Sequence, residues 1–231
     1  MTTPGAGAPV QALLFDMDGT LIDSMPLHER SWQHWFAEQG LAFDASDDFF
    51  ASTAGRTNIE ILHDLLPGRS EAELHALAWR KEEIYREFAA RELTLVAGAA
   101  EFCAQARTAG YKLAVCTAAP PENIAVAFER FGLGELVHVV TSPAEPVFGA
   151  AAGVTLRGKP HPDIFAEAAR RLGVPASACL VYEDAPLGIE AARRAGMRAV
   201  ALTTSLPAPA FAGYPNVVAV MADFVGHALP A

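Results

Sequence analysis

Short apolar runs alternate with amphipathic segments through the second half of the chain, and this pattern limits the folds open to it. A further apolar run near the N-terminus, Val10–Phe15, has no helical period and fits a strand buried on both faces. Strands that alternate with helices are typical of a parallel sheet covered on both sides. We therefore predict an α/β fold with a doubly wound parallel sheet. The predicted strands are Val10–Phe15, Lys112–Thr117, Leu136–Thr141, Ala178–Tyr182 and Arg198–Leu202, and the predicted helices are Ala99–Ala109, Pro121–Phe131, Asp163–Leu172, Pro186–Ala195 and Asp223–Leu229.

A block of purely helical pattern interrupts this alternation directly after the first strand. Capping residues and apolar stripes indicate one helix from Asp23 or Ser24 to about Gly40, one that starts at Thr57 or Asn58, and one from Ser70 to about Arg91. We therefore predict an α/β core of residues 1–22 and 94–231 and an all-helical domain of residues 23–93 inserted into it. We expect a short helix and loops in residues 41–56, and an irregular loop at Ser142–Arg157.

The charge balance argues against several classes of function. The chain has 17 basic and 27 acidic residues, a formal net charge of −10, and no basic patch stands out. We therefore expect no binding to nucleic acid, which depends on positive charge. No apolar stretch reaches the length of a membrane span, so we expect no membrane-spanning segment.

The cysteines indicate a reducing compartment. Cys103, Cys116 and Cys179 occur singly within apolar segments and form no paired motif. An odd number of separated cysteines favours reduced thiols in the core. Residues Met1–Pro9 lack the basic segment that begins a signal peptide. We therefore expect a cytoplasmic protein.

Polar and charged side chains lie at or just past the ends of three predicted strands and in one loop. The first pair, Asp16 and Asp18, fits a solvated turn as well as a functional site when it is taken alone. Buried acids, however, usually need a partner such as a metal, because an unpaired charge is costly to desolvate. The carboxyl ends of parallel strands meet at one edge of the sheet, where α/β folds bind ligands. We therefore expect one site to contain Asp16, Asp18, Thr117, Lys159, Glu183 and Asp184.

These residue types suit phosphoryl transfer assisted by Mg²⁺. Carboxylate oxygens are ligands that Mg²⁺ prefers, and a lysine and a threonine can hold the oxygens of a phosphoryl group. One carboxylate can form an aspartyl-phosphate, while a second acid protonates the leaving oxygen and then activates water.

Four motifs, in order along the chain, resemble those of the haloacid dehalogenase (HAD) superfamily. They are Asp16-Met17-Asp18-Gly19-Thr20, Thr117 at a strand end, Gly158-Lys159-Pro160, and Glu183-Asp184 followed by Gly188-Ile189. The helical insertion after the first motif resembles the α-helical C1 cap of the β-phosphoglucomutase-like branch. The resemblance extends from about Val10 to the C-terminus and implies a HAD-like Rossmannoid core with a cap.

The resemblance also implies a role for each motif residue. Asp16 would be the nucleophile and a Mg²⁺ ligand, and Asp18 the general acid/base, with its backbone carbonyl on the metal. Thr117 and Lys159 would hold the transferred phosphoryl group, and Glu183 and Asp184 would complete the metal site. Dehalogenases and phosphonatases of the superfamily do not keep the second aspartate in this role, so Asp18 favours phosphate esters.

The sequence departs from many relatives near the phosphate site. Ala118-Ala119 follows Thr117 where relatives often carry Ser or Asn, and Ala185 stands where many have Ser. Both changes remove a polar side chain. Backbone N–H groups remain available there, so the departures affect the expected substrate contacts and not the expected activity.

Substrate specificity is expected to come from the cap. His28, Arg56, Asn58 and Lys81 lie on segments that face the core site in similar proteins. A guanidinium such as that of Arg56 can form bidentate hydrogen bonds with a carboxylate or phosphate. A surface cation or a helix-cap contact is an equal alternative for Arg56. For His28 the alternative is an exposed helical residue. For Lys81 a solvated side chain near Tyr85 and neighbouring glutamates is favoured over a ligand contact.

The leading hypothesis is a Mg²⁺-dependent phosphatase that acts on a small phosphorylated metabolite of the sugar or polyol class. A phosphomutase of the β-phosphoglucomutase type is the main alternative, and a catalytically idle binding protein on the same fold is a weaker one. We expect a monomer, with a dimer as the alternative.

Overall fold

The computed structural model describes residues 8–42, 49, 53, 56–143 and 155–230. Six parallel strands form one sheet in the order β3-β2-β1-β4-β5-β6. This order is that of a doubly wound sheet, in which the chain turns outward in both directions from the centre. The strands are β1 (Ala12–Phe15), β2 (Lys112–Cys116), β3 (Val139–Thr141), β4 (Cys179–Glu183), β5 (Arg198–Leu202) and β6 (Val217–Met221).

Helices cover both faces of the sheet. Successive side chains of a strand point to opposite faces, so Leu13 and Phe15 of β1 pack in one apolar cluster, and Ala12 and Leu14 pack in another. The first cluster is closed by α4 (Ala99–Thr108) and α5 (Pro121–Phe131), followed by the short α6 (Leu133–Leu136), and the second by α7 (Asp163–Leu172) and α8 (Pro186–Arg194). Short 3₁₀ turns cover Ala176–Ala178 and Ala208–Phe211.

The inserted block is helical, as predicted. It contains α1 (Met25–Glu38), α2 (Asn58–Leu65) and α3 (Glu71–Glu92), which share an apolar cluster of their own around Trp35, Leu62 and Ile84. None of the helices in the described ranges combines the length and the apolar character needed to cross a lipid bilayer. Most of residues 41–56 and of the Ser142–Arg157 loop lie outside the described residues, and the domain boundaries at 22/23 and 93/94 stay a prediction.

Two adjacent chain segments connect the core with the insertion. The outgoing segment follows β1 and the returning segment follows α3, and Ile22 and Leu95 form a β-bridge between them. Two further backbone hydrogen bonds join Asp23 N to Thr94 O at 2.9 Å and Val96 N to Leu21 O at 3.0 Å. The motif that contains Asp16 and Asp18 therefore leads directly into this junction.

Two predicted elements differ clearly from the structure, and one strand was not predicted. The predicted helix Asp223–Leu229 is wrong: the Asp223 carboxylate accepts a hydrogen bond from Val225 N at 2.8 Å, and Gly226 has φ +72°, so the chain turns instead. The strand β6 was not predicted, because it follows an irregular connection and is not part of the strand–helix alternation that indicates the other strands. The predicted strand Leu136–Thr141 starts later, since its first residue ends the short helix α6.

Two of the three predicted capping sites form capping boxes, whereas Ser24 precedes α1 without a side-chain capping hydrogen bond. Ser70 Oγ accepts from Glu73 N, and the Glu73 carboxylate accepts from Ser70 N at 2.9 Å. Thr57 and Glu60 make the same reciprocal pair at the start of α2. Each box satisfies N–H groups that otherwise lack a partner at a helix start.

We expect Ser70→Ala to lower the free energy of unfolding by about 1 kcal/mol, the usual cost of a lost N-cap. Urea unfolding followed by circular dichroism would measure it. Ser177→Ala is the matched control, because this exposed serine lies outside any α-helix N-cap. Equal stability of the two variants would contradict a stabilising role for the Ser70 cap.

Candidate active site

Four segments bring charged and polar side chains together at the carboxyl edge of the sheet. Asp16 follows β1, Thr117 follows β2, Glu183 ends β4 and Asp184 follows it, and Lys159 reaches the same point from the loop before α7. All five residues are buried, each with 7% exposure or less. This group of residues lies near the carboxyl ends of β1 and β4, where the strand order reverses and where doubly wound folds bind ligands.

Lys159 links two of the buried carboxylates. Its ammonium group contacts Asp16 Oδ1 and lies 2.6 Å from Glu183 Oε1. Burial by itself would lower the pKa of Lys159, but the charges and hydrogen bonds of Asp16 and Glu183 raise it instead. The lysine is therefore a permanent cation at the centre of the site.

Asp184 is held by two hydroxyl groups. Thr20 Oγ1 donates to its Oδ1 at 3.0 Å, and Ser205 Oγ donates to its Oδ2. Burial is the main reason why the pKa of Asp184 rises to about 7, and the charge of Glu183 adds to it. The neighbouring Gly19 has φ +76°, and a Cβ there would lie 2.2 Å from Asp184 Oδ2, so this motif position needs glycine.

Glu183 is fixed against the start of α8. Its Oε2 accepts a hydrogen bond from Ala185 N at 2.7 Å. A Cβ on Gly188 would lie 1.7 Å from Glu183 Oε1, so only glycine leaves room for the carboxylate. The position of the Glu183 side chain thus explains why the fourth motif requires glycine at residue 188.

The three acids form a group that fits a divalent cation. Asp16, Glu183 and Asp184 each offer a carboxylate oxygen within 4.8 Å of the others. Burial is the largest effect on the pKa of Asp16 and raises it. The charge of Lys159 lowers this pKa, but the charges of the other acids raise it, so it stays well above its usual value. A cation held by hard oxygen ligands would relieve this concentration of negative charge, and an all-oxygen donor set is the one that Mg²⁺ prefers.

Thr117 and three alanines line the part of the cavity where the sequence predicts phosphate contacts. Thr117 Oγ1 accepts a hydrogen bond from Ala119 N at 3.0 Å, and its own hydroxyl proton remains to be donated to a ligand. Ala118, Ala119 and Ala185 all line the cavity. The departures from the family pattern therefore leave small apolar side chains at these positions.

Asp18 has a different environment from Asp16. Its Oδ1 accepts from Ser24 Oγ at 2.7 Å and lies 3.4 Å from His28 Nε2. Its side chain keeps 21% exposure, whereas that of Asp16 keeps 9%. The two aspartates of one motif are thus separated, one within the carboxylate and lysine cluster and one beneath the helical insertion.

His28 and Lys81 continue this contact into the insertion. The His28 ring stacks on Tyr85 with ring centroids 4.0 Å apart, and its Nδ1 lies 2.7 Å from Lys81 Nζ. Lys81 is 1% exposed, and its ammonium group pairs with Glu82 at 2.9 Å. The favoured interpretation of Lys81 as a solvated surface residue is therefore wrong, because carboxylate and aromatic contacts offset the cost of its burial.

Arg56 and Asn58 also line the cavity, and each donates hydrogen bonds within the insertion. Arg56 donates to the Asp64 carboxylate at 2.6 Å and to Glu60 O at 2.9 Å. Asn58 Nδ2 donates to Glu82 Oε1 at 2.5 Å. The helix-contact alternative for Arg56 is thus what the structure contains.

All ten predicted site residues border one cavity. Its volume is about 460 Å³, and it lies between the carboxyl edge of the sheet and the helical insertion. Its floor carries the acids, Thr117 and Lys159, and its roof carries His28, Arg56, Asn58 and Lys81. Concave sites of this size hold small molecules.

Comparison with known proteins decides the family. The model of haloacid dehalogenase-like hydrolases matches residues 10–196. The chain belongs to this family. The hexitol phosphatase A of Escherichia coli strain K12 is 33% identical over 199 residues, which cover 86% of each protein. The β-phosphoglucomutase of Bacillus subtilis is 28% identical over 207 residues, 86% of this chain and 85% of the relative.

A solved structure of the same branch shows the same architecture. The CbbY mutant from Rhodobacter sphaeroides in complex with xylulose-1,5-bisphosphate has a TM-score of 0.75, 26% identity and coverage of 94% of this chain and 96% of that one. The predicted HAD-like fold, the branch and the enzyme class, a phosphoric monoester hydrolase, are confirmed by these comparisons. The roles of individual residues stay predictions.

Several lining residues of this HAD-like hydrolase were missed by the sequence, including four that carry polar groups. They are Trp79 and Glu82 on α3, Asn123 on α5, and Ser205 after β5. Ser205 had a usable signal, because a polar residue that follows a parallel strand lies at the same edge as the other motifs. Glu82 and Asn123 had none, since their contact depends on how the insertion lies over the core.

Proposed function

We propose that this enzyme is a Mg²⁺-dependent phosphatase that hydrolyses a small phosphorylated sugar or polyol through a phosphorylated Asp16. The observation that carries the proposal is the pair of unlike aspartates at one end of the cavity. Asp16 lies against Lys159, and Asp18 lies against Ser24 and His28. The relationship to a phosphatase named for hexitols supports the same substrate class.

In the first step, an Asp16 carboxylate oxygen attacks phosphorus and the bond from phosphorus to the ester oxygen breaks. Lys159 and the Thr117 hydroxyl are placed to bind the non-bridging oxygens, where negative charge must be balanced. Asp18 in its acid form donates its proton to the leaving oxygen. The products are the free alcohol and phosphorylated Asp16.

In the second step, Asp18 is the base. It takes a proton from water, the water oxygen attacks phosphorus, and the bond from phosphorus to Asp16 breaks to release inorganic phosphate. Ser24 fixes the orientation of the Asp18 carboxylate through a 2.7 Å hydrogen bond. One group can thus serve both steps, because it is left deprotonated by the first and is reprotonated by the second.

Asp16, Glu183 and Asp184 would hold Mg²⁺, with the backbone carbonyl of Asp18. When bound, the ion supplies positive charge that offsets the repulsion between a carboxylate and a phosphate dianion. The hydroxyl groups of Thr20 and Ser205 orient Asp184 from outside this group.

A phosphomutase is the second candidate. The 28% identity to a β-phosphoglucomutase favours it. In a mutase, a sugar hydroxyl and not water accepts the phosphoryl group. Isomerisation of a sugar phosphate without free phosphate would overturn the phosphatase proposal.

We expect purified enzyme to release inorganic phosphate from a panel of phosphorylated sugars and polyols with Mg²⁺, and to lose this activity with EDTA. The loss should reverse when Mg²⁺ is restored, because the protein ligands are already grouped. Phosphate release that is unchanged by EDTA would contradict the metal site. No release from any phosphate monoester would favour an idle binding protein.

A further inference from the structure

A largely buried polar cluster borders the cavity where the helical insertion meets the core. Glu82 on α3 accepts hydrogen bonds from Asn58 and Lys81 at its Oε1, at 2.5 and 2.9 Å. Its Oε2 accepts one from Asn123 of α5 at 2.5 Å. Glu82 thus joins two helices of the insertion to a helix of the core, and all four residues line the cavity.

Glu82 is a charged group in this position. Burial by itself would raise the pKa of Glu82, but the charges of Lys81 and His28 and the hydrogen bonds from Lys81 and Asn123 lower it to about 2. A carboxylate oxygen can accept two hydrogen bonds, and Oε2 accepts one from the protein in the structure. It can therefore accept another from a hydroxyl group within the cavity.

The permanent positive charges on the cavity roof are balanced. Among the described lining residues of the insertion, Lys81 and Arg56 carry such charges. Lys81 is paired with Glu82, and Arg56 is paired with Asp64. A second anionic group on a substrate would thus approach a carboxylate without an uncommitted cation, which is unfavourable in a partly buried site.

We propose that Glu82, held by Asn58 and Asn123, selects phosphate monoesters whose leaving group is uncharged and carries hydroxyls, and rejects those with a second phosphate or a carboxylate. This inference rests on the proposed phosphatase function. The hydroxyls of a sugar or polyol donate to Glu82, whereas a second anion is repelled by it. Specificity of this kind arises because one binding partner is accepted and the competing one is disfavoured by the same group.

The test compares kcat/KM for a hexitol monophosphate, a ketose bisphosphate and phosphoglycerate, with p-nitrophenyl phosphate as a general monoester. The wild-type enzyme should prefer the hexitol monophosphate over both anionic substrates. In Glu82→Gln, the preference should fall by about tenfold or more, because the negative charge is lost and the Lys81 cation is left unpaired. Thermal unfolding of the variant would verify that it is folded.

Two further variants separate charge from structure. Glu87→Gln is the matched control on the same helix, with a 61% exposed side chain that pairs with Arg80, and it should keep the wild-type preference. The double variant Lys81→Gln, Glu82→Gln removes both charges. Its kcat/KM for the bisphosphate, relative to the hexitol monophosphate, should therefore not show the rise expected in Glu82→Gln alone.

Three outcomes would overturn the inference. A wild-type preference for the bisphosphate is one, and a Glu82→Gln effect that is equal for all substrates is another. If no monoester, including p-nitrophenyl phosphate, releases phosphate, the proposed function fails together with it. If phosphate is released but the expected ratio of kcat/KM values is absent, the inference fails and the proposed function stands.

Discussion

Asp16→Asn should abolish turnover while the protein stays folded. The amide cannot form the acyl-phosphate bond, so we expect kcat to fall by about four orders of magnitude or more, as is typical of a lost nucleophile. Lys159 retains Glu183 as a partner at 2.6 Å, so the centre of the site keeps an ion pair. Phosphate release with a saturating substrate would measure the loss, and circular dichroism would confirm the fold.

Asp23→Asn is the matched control for this change. Asp23 lies seven positions further along the same segment, is exposed and does not line the cavity, so its variant should keep wild-type activity. Asp18→Asn should slow both half-reactions and leave the nucleophile in place, which separates the two aspartates. Substantial turnover by Asp16→Asn would refute covalent catalysis by Asp16.

The floor of the site could be predicted from the sequence because it depends on local rules. A strand buried on both faces ends at Phe15, and a parallel sheet brings such ends together whatever separates them along the chain. The helix Pro121–Phe131 was predicted with its observed bounds, since Pro121 can start a helix and Gly132 adopts φ +63° at its end. These signals lie within a few residues of the structures that they specify.

The roof of the site could not be predicted in this way. Lys81 is a charged residue in a helical pattern, and nothing in its periodicity shows that Trp32, His28 and Glu82 surround it. Glu82 meets Asn123 across the two parts of the molecule, a contact set by how they pack. The C-terminal segment failed for a related reason: an Asp223 turn and the burial of Phe224 override a weak helical pattern.

Lys159→Met should destabilise the metal-free enzyme and make it depend on Mg²⁺ for stability. The change leaves three buried carboxylates, Asp16, Glu183 and Asp184, without their cation. Removal of one partner of a buried ion pair costs about 3–5 kcal/mol. We also expect kcat/KM to fall by about 10²–10³-fold, because a charge that faces the phosphoryl group is lost. Urea unfolding with EDTA and phosphate release with Mg²⁺ would measure the two effects.

The response to Mg²⁺ distinguishes the proposed site from a merely structural lysine. A ligand that binds only the folded state stabilises it more the more tightly it binds, and a cation relieves the repulsion that Lys159→Met exposes. The Mg²⁺-induced rise in thermal midpoint should therefore be larger in this variant than in the wild type. Lys112→Met is the control, because Lys112 begins β2 at the opposite edge of the sheet and bonds Leu172 O. An equal response of both variants to Mg²⁺ would refute the assignment of the metal site to the carboxylates around Lys159.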